Sequence, residues 1–556
     1  MTEAQFYRHQ NYPQGMKAII NPESFVTVTD LFEAKVTRFG NLPAFSCMGT
    51  TITYSELDRL SSQFAAYLQF ETDLVPGDRI ALQIPNILQY PIAAWGALRA
   101  GLIIVNTNPL YTERELEHQL NDSGAKAMVV YAGMAATALK VQPKTPVERI
   151  IVTEIADMHS PLKRILINNV VKHIKKMVPA YDATATESFR QVLSAGSYHK
   201  FKPVHTGHDD PIVLQYTGGT TGVAKGAMLT NRNLIGNMMQ CYEFFKLSLN
   251  EGEETLVTPL PLYHIYAFTV HCMVLMYTGN HSLLIPNPRD IPGFVKALQQ
   301  TRFTGFVGLN TLFVALCSNE DFKKLDFSSL KLTISGGMAL TKAAADQWQQ
   351  VTGCSINEGY GMTESSPVIS FNPPGASQVD SIGIPAPGTD VMIVDDDEKP
   401  LPMGEAGELW VRGPQVMKGY WNRPGDTKKT ITAEGWLKTG DVAVLQPDGY
   451  LKIVDRKKDM IVVSGFNVYP NEIEEVLAGH PDIIECAAVG VPDAKTGEAV
   501  KVYYVSKSDI ADDDLIKFCR KEMTAYKVPR LYERKDELPK TNVGKVLRRE
   551  LRDPAQ

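Results

Sequence analysis

Short β-branched runs separated by helix-length stretches recur along most of this chain, and that rhythm limits its fold more than any other feature. RIALQI (79–84), AMVVY (127–131) and RIIVT (149–153) are examples, and helical patterns lie between them. From Thr27 to about Gln446 the alternation predicts an α/β protein of β/α layers with largely parallel sheets. The longest apolar stretch, 91–105, is interrupted by Arg99 and reads as a buried helix and strand, not a membrane span, which needs about 18 apolar residues. With 556 residues, two or more domains are expected.

The rhythm changes near Asp455. GYLKIVDRKKDMIVVSG packs charges between two strand-like runs and is expected to be an exposed connection. The predicted division is a large domain over 1–454, a hinge over 455–459 and a small α/β domain over 460–556. In the small domain Asn471 with Glu474 suits a helix start and Gly479 a stop. CAAVGVPDAKTGEAVKVYYV reads as strand, loop, strand, and DDLIKFCRKEM as an amphipathic helix.

A net charge of -6 argues against a nucleic-acid binder, so no nucleic-acid partner is expected. The 7 cysteines are scattered without a C-x-x-C pair, which suits a reducing compartment and no structural zinc. MTEAQFYRHQ has no apolar signal core, so a cytoplasmic protein is expected. LKRILINNVVKHIKKMV (162–178) gathers Arg164, Lys172, Lys175 and Lys176 on one side of a helical wheel, largely opposite Ile165, Leu166, Val170, Ile174 and Met177. Such a helix either packs on its own domain or lies on an anionic membrane surface, here the inner face of the cytoplasmic membrane.

Four segments carry candidate chemistry. YTGGTTGVAKGAMLT begins after a strand-like VLQY and leads towards a helix capped near Thr230 or Asn231. It is neither a Walker loop nor G-x-G-x-x-G, yet glycines let backbone N–H groups approach phosphate while Thr217, Thr220, Thr221 and Lys225 add hydroxyls and charge. NEGYGMTES places Thr363 beside Glu364, a pair suited to a magnesium ion on phosphate oxygens, and SGGMAL is a flat surface for an adenine ring. In EGWLKTGDVA, Asp441 could accept from two ribose hydroxyls. In LPKTNVGKVLRREL, Lys545 after Gly544 could reach from a flexible loop into another domain's cleft. Each has a plainer reading as a turn or a solvated charge.

Their combination is more specific. YTGGTTGVAKG, YGMTE, GWLKTGD, DRKKD, SGFNVYPNEIE and PKTNVGK occur in that order and together resemble the adenylate-forming superfamily of acyl-CoA synthetases and luciferases, over about residues 27–552. GWLKTGD through GYLKIVDRKK, with PLYTERELEHQLNDSGAK and NPRDIPG, resembles the bacterial long-chain fatty-acyl-CoA synthetase branch.

The resemblance implies an acid–thiol ligase that joins a fatty acid to CoA through an acyl-adenylate, with Mg²⁺ as cofactor and ATP and CoA as co-substrates, activating fatty acids for β-oxidation. It implies that Tyr216, Thr217, Gly218, Gly219, Thr220, Thr221, Gly222 and Lys225 hold phosphates, and that Thr220 and Glu364 bind the metal. Thr363 would contact the α-phosphate; Gly337, Glu358, Gly359 and Tyr360 would surround adenine; Asp441 would take the ribose, with Arg456 nearby. Lys545 would bridge carboxylate and α-phosphate, and the small domain would pivot at Lys458 so that Gly465 and Tyr469 face a CoA channel. His264 either lies near the acyl carboxylate or is a buried structural histidine. The stretches 265–276 and 307–316 would wall the acyl tunnel, and a homodimer is compatible with the family. An acyl-AMP ligase, an aryl-CoA ligase and a silent lipid-binding module remain as other readings.

Overall fold

The computed structural model describes residues 6–217, 224–378, 380–464, 466–493, 495–540 and 546–552. Two large sheets carry the alternation expected from the sequence. In the first, Glu187–Ser188, Arg149–Thr153, Ala127–Tyr131, Arg79–Gln83, Ile103–Asn106 and Pro211–Thr217 run parallel, in that spatial order. In the second, Pro43–Cys47, His281–Leu284, Thr255–Thr258, Gly305–Gly308, Leu332–Ser335 and Ile356–Gly361 run parallel, and antiparallel strands close both edges.

Between these layers the helix Gln89–Arg99 is buried on every face. Its one charge is satisfied: the Arg99 guanidinium donates to Asp58 at 2.7 Å and to Ser61 at 3.0 Å, and stacks on Phe201. The apolar stretch broken by Arg99 is thus a core helix followed by a strand. Among the described residues no helix is long and apolar enough to cross a membrane.

Two expectations hold with additions, and one is corrected. The helix after the glycine loop, Asn231–Phe245, starts on a Thr230 cap as expected, and the residues before it, Lys225–Thr230, form a strand antiparallel to Pro211–Thr217 with Lys225 opposite Thr217. The two large sheets are largely parallel as expected, and beside them Asp390–Val394, Ala406–Arg412, Leu437–Leu445 and Leu451–Arg456 form an antiparallel sheet. Asn471 does not cap its helix. Tyr469 takes the cap position with Pro470 in the first turn, while the Asn471 N–H donates to Asp455 and Glu474 accepts from the Ala488 N–H.

The small unit has its own core, with Ile461, Ile473, Leu477, Val502 and Leu515 fully buried. Its hairpin Ile483–Asp493/Gly497–Ser506 and helix Asp512–Glu522 follow the sequence reading.

The basic helix forms over Pro161–Asn169 and continues in a wider π-type turn over Val170–Ile174. Asn168 and Val171 face the protein, with Asn168 Nδ2 donating to Glu154 at 2.8 Å. The apolar side faces out, with Leu162 84% and Ile174 74% exposed and Ile165, Leu166 and Met177 also exposed.

Candidate functional site

One cleft of about 2300 Å³ runs between the sheets and under the small unit, and Thr217, His264, Glu364, Asp441, Lys458 and Arg548 all line it. The strand ends that face it supply its polar groups. Ile356–Gly361 brings in Glu358, Gly359 and Tyr360, and the next turn brings in Thr363 and Glu364. Gly337 turns the chain after Leu332–Ser335 with φ of 83°, a conformation glycine adopts without strain.

Asp441 is buried and accepts from the Tyr360 hydroxyl, while Arg456 Nε lies 3.2 Å from its other oxygen. Asp441 and Arg456 are register partners on adjacent strands, so this pair is set by the sheet itself. Glu364 is also buried, and its carboxylate accepts from Tyr420 Oη at 2.6 Å. Burial raises the Glu364 carboxyl, and the Tyr420 hydrogen bond opposes that shift. Lys225 Nζ lies 3.0 Å from Asp426 and 5.3 Å from the Tyr420 ring centroid. Tyr216 Oη donates to Asp122 at 2.8 Å, which also binds Arg423 at 2.8 Å. The segment from Tyr420 to Asp426 therefore steadies both ends of the candidate phosphate site.

Glu358 accepts a hydrogen bond from the Leu340 N–H, but burial pushes its carboxyl up to about 8 from an ordinary 4.5. The folded state thus holds an extra proton between those values, and stability falls as pH rises through that window. Glu358→Gln is expected to raise the melting temperature at pH ~9 by about 1–3 °C and leave it unchanged at pH ~4.5, measured by scanning calorimetry.

His264 caps the turn after it: Nδ1 accepts from the Tyr266 N–H at 3.3 Å, which leaves the proton on Nε2 of the neutral ring. Burial lowers it to about 4, so it stays neutral at physiological pH. Beside it Ile265, Tyr266 and Val270 line an apolar arm of the cleft. Of the expected tunnel walls, Asn310, Thr311 and Val314 from 307–316 also line the cleft, whereas Phe268, Cys272, Met273, Leu275 and Met276 are not among its lining residues. Cys241, Phe244 and Phe245 of the helix Asn231–Phe245 line that arm, a contribution sequence reading missed.

Several expected residues are not brought into this geometry. Gly218, Gly219, Thr220, Thr221, Gly222, Gly465 and Lys545 lie outside the described residues. Tyr469 is half-buried and is not among the residues lining the cleft. The residues flanking Lys545 do face it: Lys540 and Val546 bridge to each other and both line the cleft. In the connection over 455–459, Lys457 and Lys458 are exposed as expected, while Asp455 and Asp459 are buried. Asp455 is 0% exposed and ion-paired to Arg548, and Lys457 pairs with Asp396 and Glu408, so this segment is bound by charges on several sides.

The AMP-binding enzyme family model matches residues 32–421, and the model of the AMP-binding enzyme C-terminal domain matches residues 472–545. The chain belongs to the AMP-binding enzyme family. Among AMP-binding enzymes it is similar to a long-chain-fatty-acid–CoA ligase of Escherichia coli O6:H1, at 51% identity over 98% of this chain and 97% of that one. It is 49% identical to a ligase of the same name from Haemophilus influenzae, over 98% of this chain and 97% of the relative. In three dimensions it resembles ATP-bound MatB from Rhodopseudomonas palustris, with a TM-score of 0.81, 26% identity and coverage of 94% and 98%. For an AMP-binding enzyme, the positioning partners Tyr420, Asp426, Asp122 and Arg548 were the residues missed. GYWNRPGD holds two of them, an aromatic and an acid beside a proline turn, while Asp122 and Arg548 lie within PLYTERELEHQLNDSGAK and LPKTNVGKVLRREL.

Proposed function

We propose that the protein is an AMP-forming long-chain fatty-acid–CoA ligase. The observation that carries this reading is the single cleft whose polar end, with Glu364, Thr363 and Asp441, continues into the apolar arm formed by Val270, Phe244 and Phe245. Relatives named long-chain-fatty-acid–CoA ligase at 49–51% identity over nearly the whole chain support it.

In the first step a fatty carboxylate oxygen attacks the α-phosphorus of ATP, the bond to the bridging oxygen breaks, and pyrophosphate leaves. In the second the CoA thiolate attacks the acyl carbonyl carbon, the bond to AMP breaks, and the thioester forms. Adenine would stack by Gly337, Glu358, Gly359 and Tyr360, with the ribose hydroxyls on Asp441. Neutral His264 adds no charge where the carboxylate must enter. Thr217 to Lys225 would hold the departing phosphates, Thr363 the α-phosphate, and Lys545 would join carboxylate and phosphate. Lys458 is the proposed pivot.

Glu364 with the Thr220 and Thr363 hydroxyls offers hard oxygen donors suited to magnesium. Among the described residues no group of three metal-binding side chains forms, so phosphate oxygens would complete the coordination. When bound, Mg²⁺ would neutralise charge on the phosphates.

Each buried methylene contributes about 0.8 kcal/mol, so a deep arm favours long chains. A thioester assay with ATP, CoA and fatty acids from about C6 to C18 tests the assignment. Acyl-CoA forming best with the longer acids is expected. Acyl-AMP accumulating in the presence of CoA would assign a different acceptor, and no product with any acid would remove the reading.

Peripheral attachment to an anionic membrane is part of the same proposal, supported by the outward Leu162, Ile165, Leu166, Ile174 and Met177 beside exposed Lys172, Lys175 and Lys176. Basic residues contribute about 1 kcal/mol each at such a surface, so replacing these three lysines by Glu should weaken vesicle binding by at least about 10²-fold. Sedimentation with phosphatidylserine vesicles at low salt measures this, and unchanged binding would refute it.

A further inference from the structure

The C-terminal helix Arg548–Arg552 grips the segment around Lys458 from both sides. Arg548 Nη1 lies 3.5 Å from Asp455 and 3.4 Å from Asp459; Nη2 donates to Glu474 at 2.7 Å and to Asn471 Oδ1 at 2.5 Å; Nε donates to Glu474 at 3.1 Å. Arg552 donates to the carbonyls of Lys458 at 3.2 Å and Asp459 at 3.1 Å.

Asp455 belongs to the other unit. It sits opposite Val442 in the antiparallel sheet, fully buried, and besides Arg548 it accepts the Asn471 N–H at 2.7 Å. Asp455 is thus one buried carboxylate through which the small unit is attached, beside the bond from Asn471 Nδ2 to the Val454 carbonyl. A rotation about Lys458 that carries Arg548 and Asn471 away would leave that carboxylate with the Arg456 N–H of its own strand and without its ion-pair partner, which a buried charge resists. In the orientation seen, Lys540 and Val546 on either side of the Lys545 segment face the same cleft as Glu364 and His264.

We propose that Arg548 is a positioning residue for the first half-reaction: through Asp455 it clamps the small unit in the orientation in which Lys540 and Val546 face the cleft, and its release accompanies the change to thioester formation. This rests on the two-step reading above. Arg548 touches no reacting atom. Its planar fork spans Asp455 and Glu474 together, a geometry that lysine does not reproduce.

The test uses the full chain with Arg548→Ala, Arg548→Lys and Asp455→Asn, each checked for parental circular dichroism. ATP–pyrophosphate exchange reports the first half-reaction, and thioester formation from supplied acyl-adenylate and CoA reports the second. Exchange is expected to fall by at least about tenfold in Arg548→Ala and Asp455→Asn and less in Arg548→Lys, with the second half-reaction equal to the parent or faster. A parallel fall in both half-reactions, as a merely structural role would give, overturns the proposal, and so does unchanged exchange. Arg548→Lys and Asp455→Asn carry the test should Arg548→Ala not fold. A parent that performs neither half-reaction overturns the two-step reading and the clamp with it, an outcome distinct from failure of the clamp alone.

Discussion

Lys545→Ala is expected to depress ATP–pyrophosphate exchange by about 10³-fold while thioester formation from supplied acyl-adenylate stays within about threefold of the parent. The estimate follows from charge. A carboxylate and a phosphate are both anions, and one unit charge at 4 Å contributes about 4 kcal/mol at an effective dielectric of 20, which is close to three decades in rate. Once the adenylate exists that repulsion is gone, so the second step does not need the same lysine. Lys225 provides the contrast. It already shares its charge with Asp426 at 3.0 Å, and its proposed partners are the phosphates that leave. Lys225→Ala is therefore expected to act mainly on the KM for ATP, by about tenfold. Equal losses in both half-reactions for Lys545→Ala would remove the proposed role.

Glu364→Gln is expected to lower exchange by about 10²-fold and to move the magnesium titration to higher concentration. Glutamine can still accept from Tyr420 Oη, so the substitution removes charge and leaves the hydrogen bond that holds the side chain. Alanine is the poorer probe, because it would strand a buried hydroxyl at a cost of about 1–3 kcal/mol in stability. Calorimetric titration of magnesium into the protein with a non-hydrolysable ATP analogue separates weakened metal binding from a folding defect. An unchanged metal affinity would move the carboxylate out of the coordination shell.

Legibility followed the range of the interactions involved. AMVVY and RIIVT became strands at their expected limits, because a buried parallel strand is written in its own side chains. The same holds for the helix Asp512–Glu522, whose apolar face is set by local spacing. The Asn471 start failed since a proline already occupied the first turn and Glu474 was engaged elsewhere. The site residues on strand ends were legible as motifs, whereas their partners were not. Tyr420 meets Glu364 across 56 positions and Arg423 meets Asp122 across 301, and no local pattern records such pairs. The burial of Asp455 and Asp459 was illegible for the same reason: their counter-charges, in Arg548 and Arg552, come from the chain's far end.

The reversed strand Lys225–Thr230 has an electrostatic consequence. In Walker and dinucleotide folds the phosphate-binding turn leads directly into a helix, and the axial field of that helix meets the anion at once. Here five further residues of strand separate Lys225 from Asn231, the first helical residue, which at about 3.3 Å per residue sets the helix end roughly 20 Å away, beyond the reach of its dipole. A polyphosphate held beside Lys225 would thus lack the axial field of the helix Asn231–Phe245. On the proposed reading, the compensation that the loop's own N–H groups and hydroxyls leave undone would come from parts that arrive and depart separately: a side chain released by Asp426, a divalent ion, and an arm from the small unit. An anchorage made of removable pieces suits an enzyme that has to discharge pyrophosphate before its second substrate reacts.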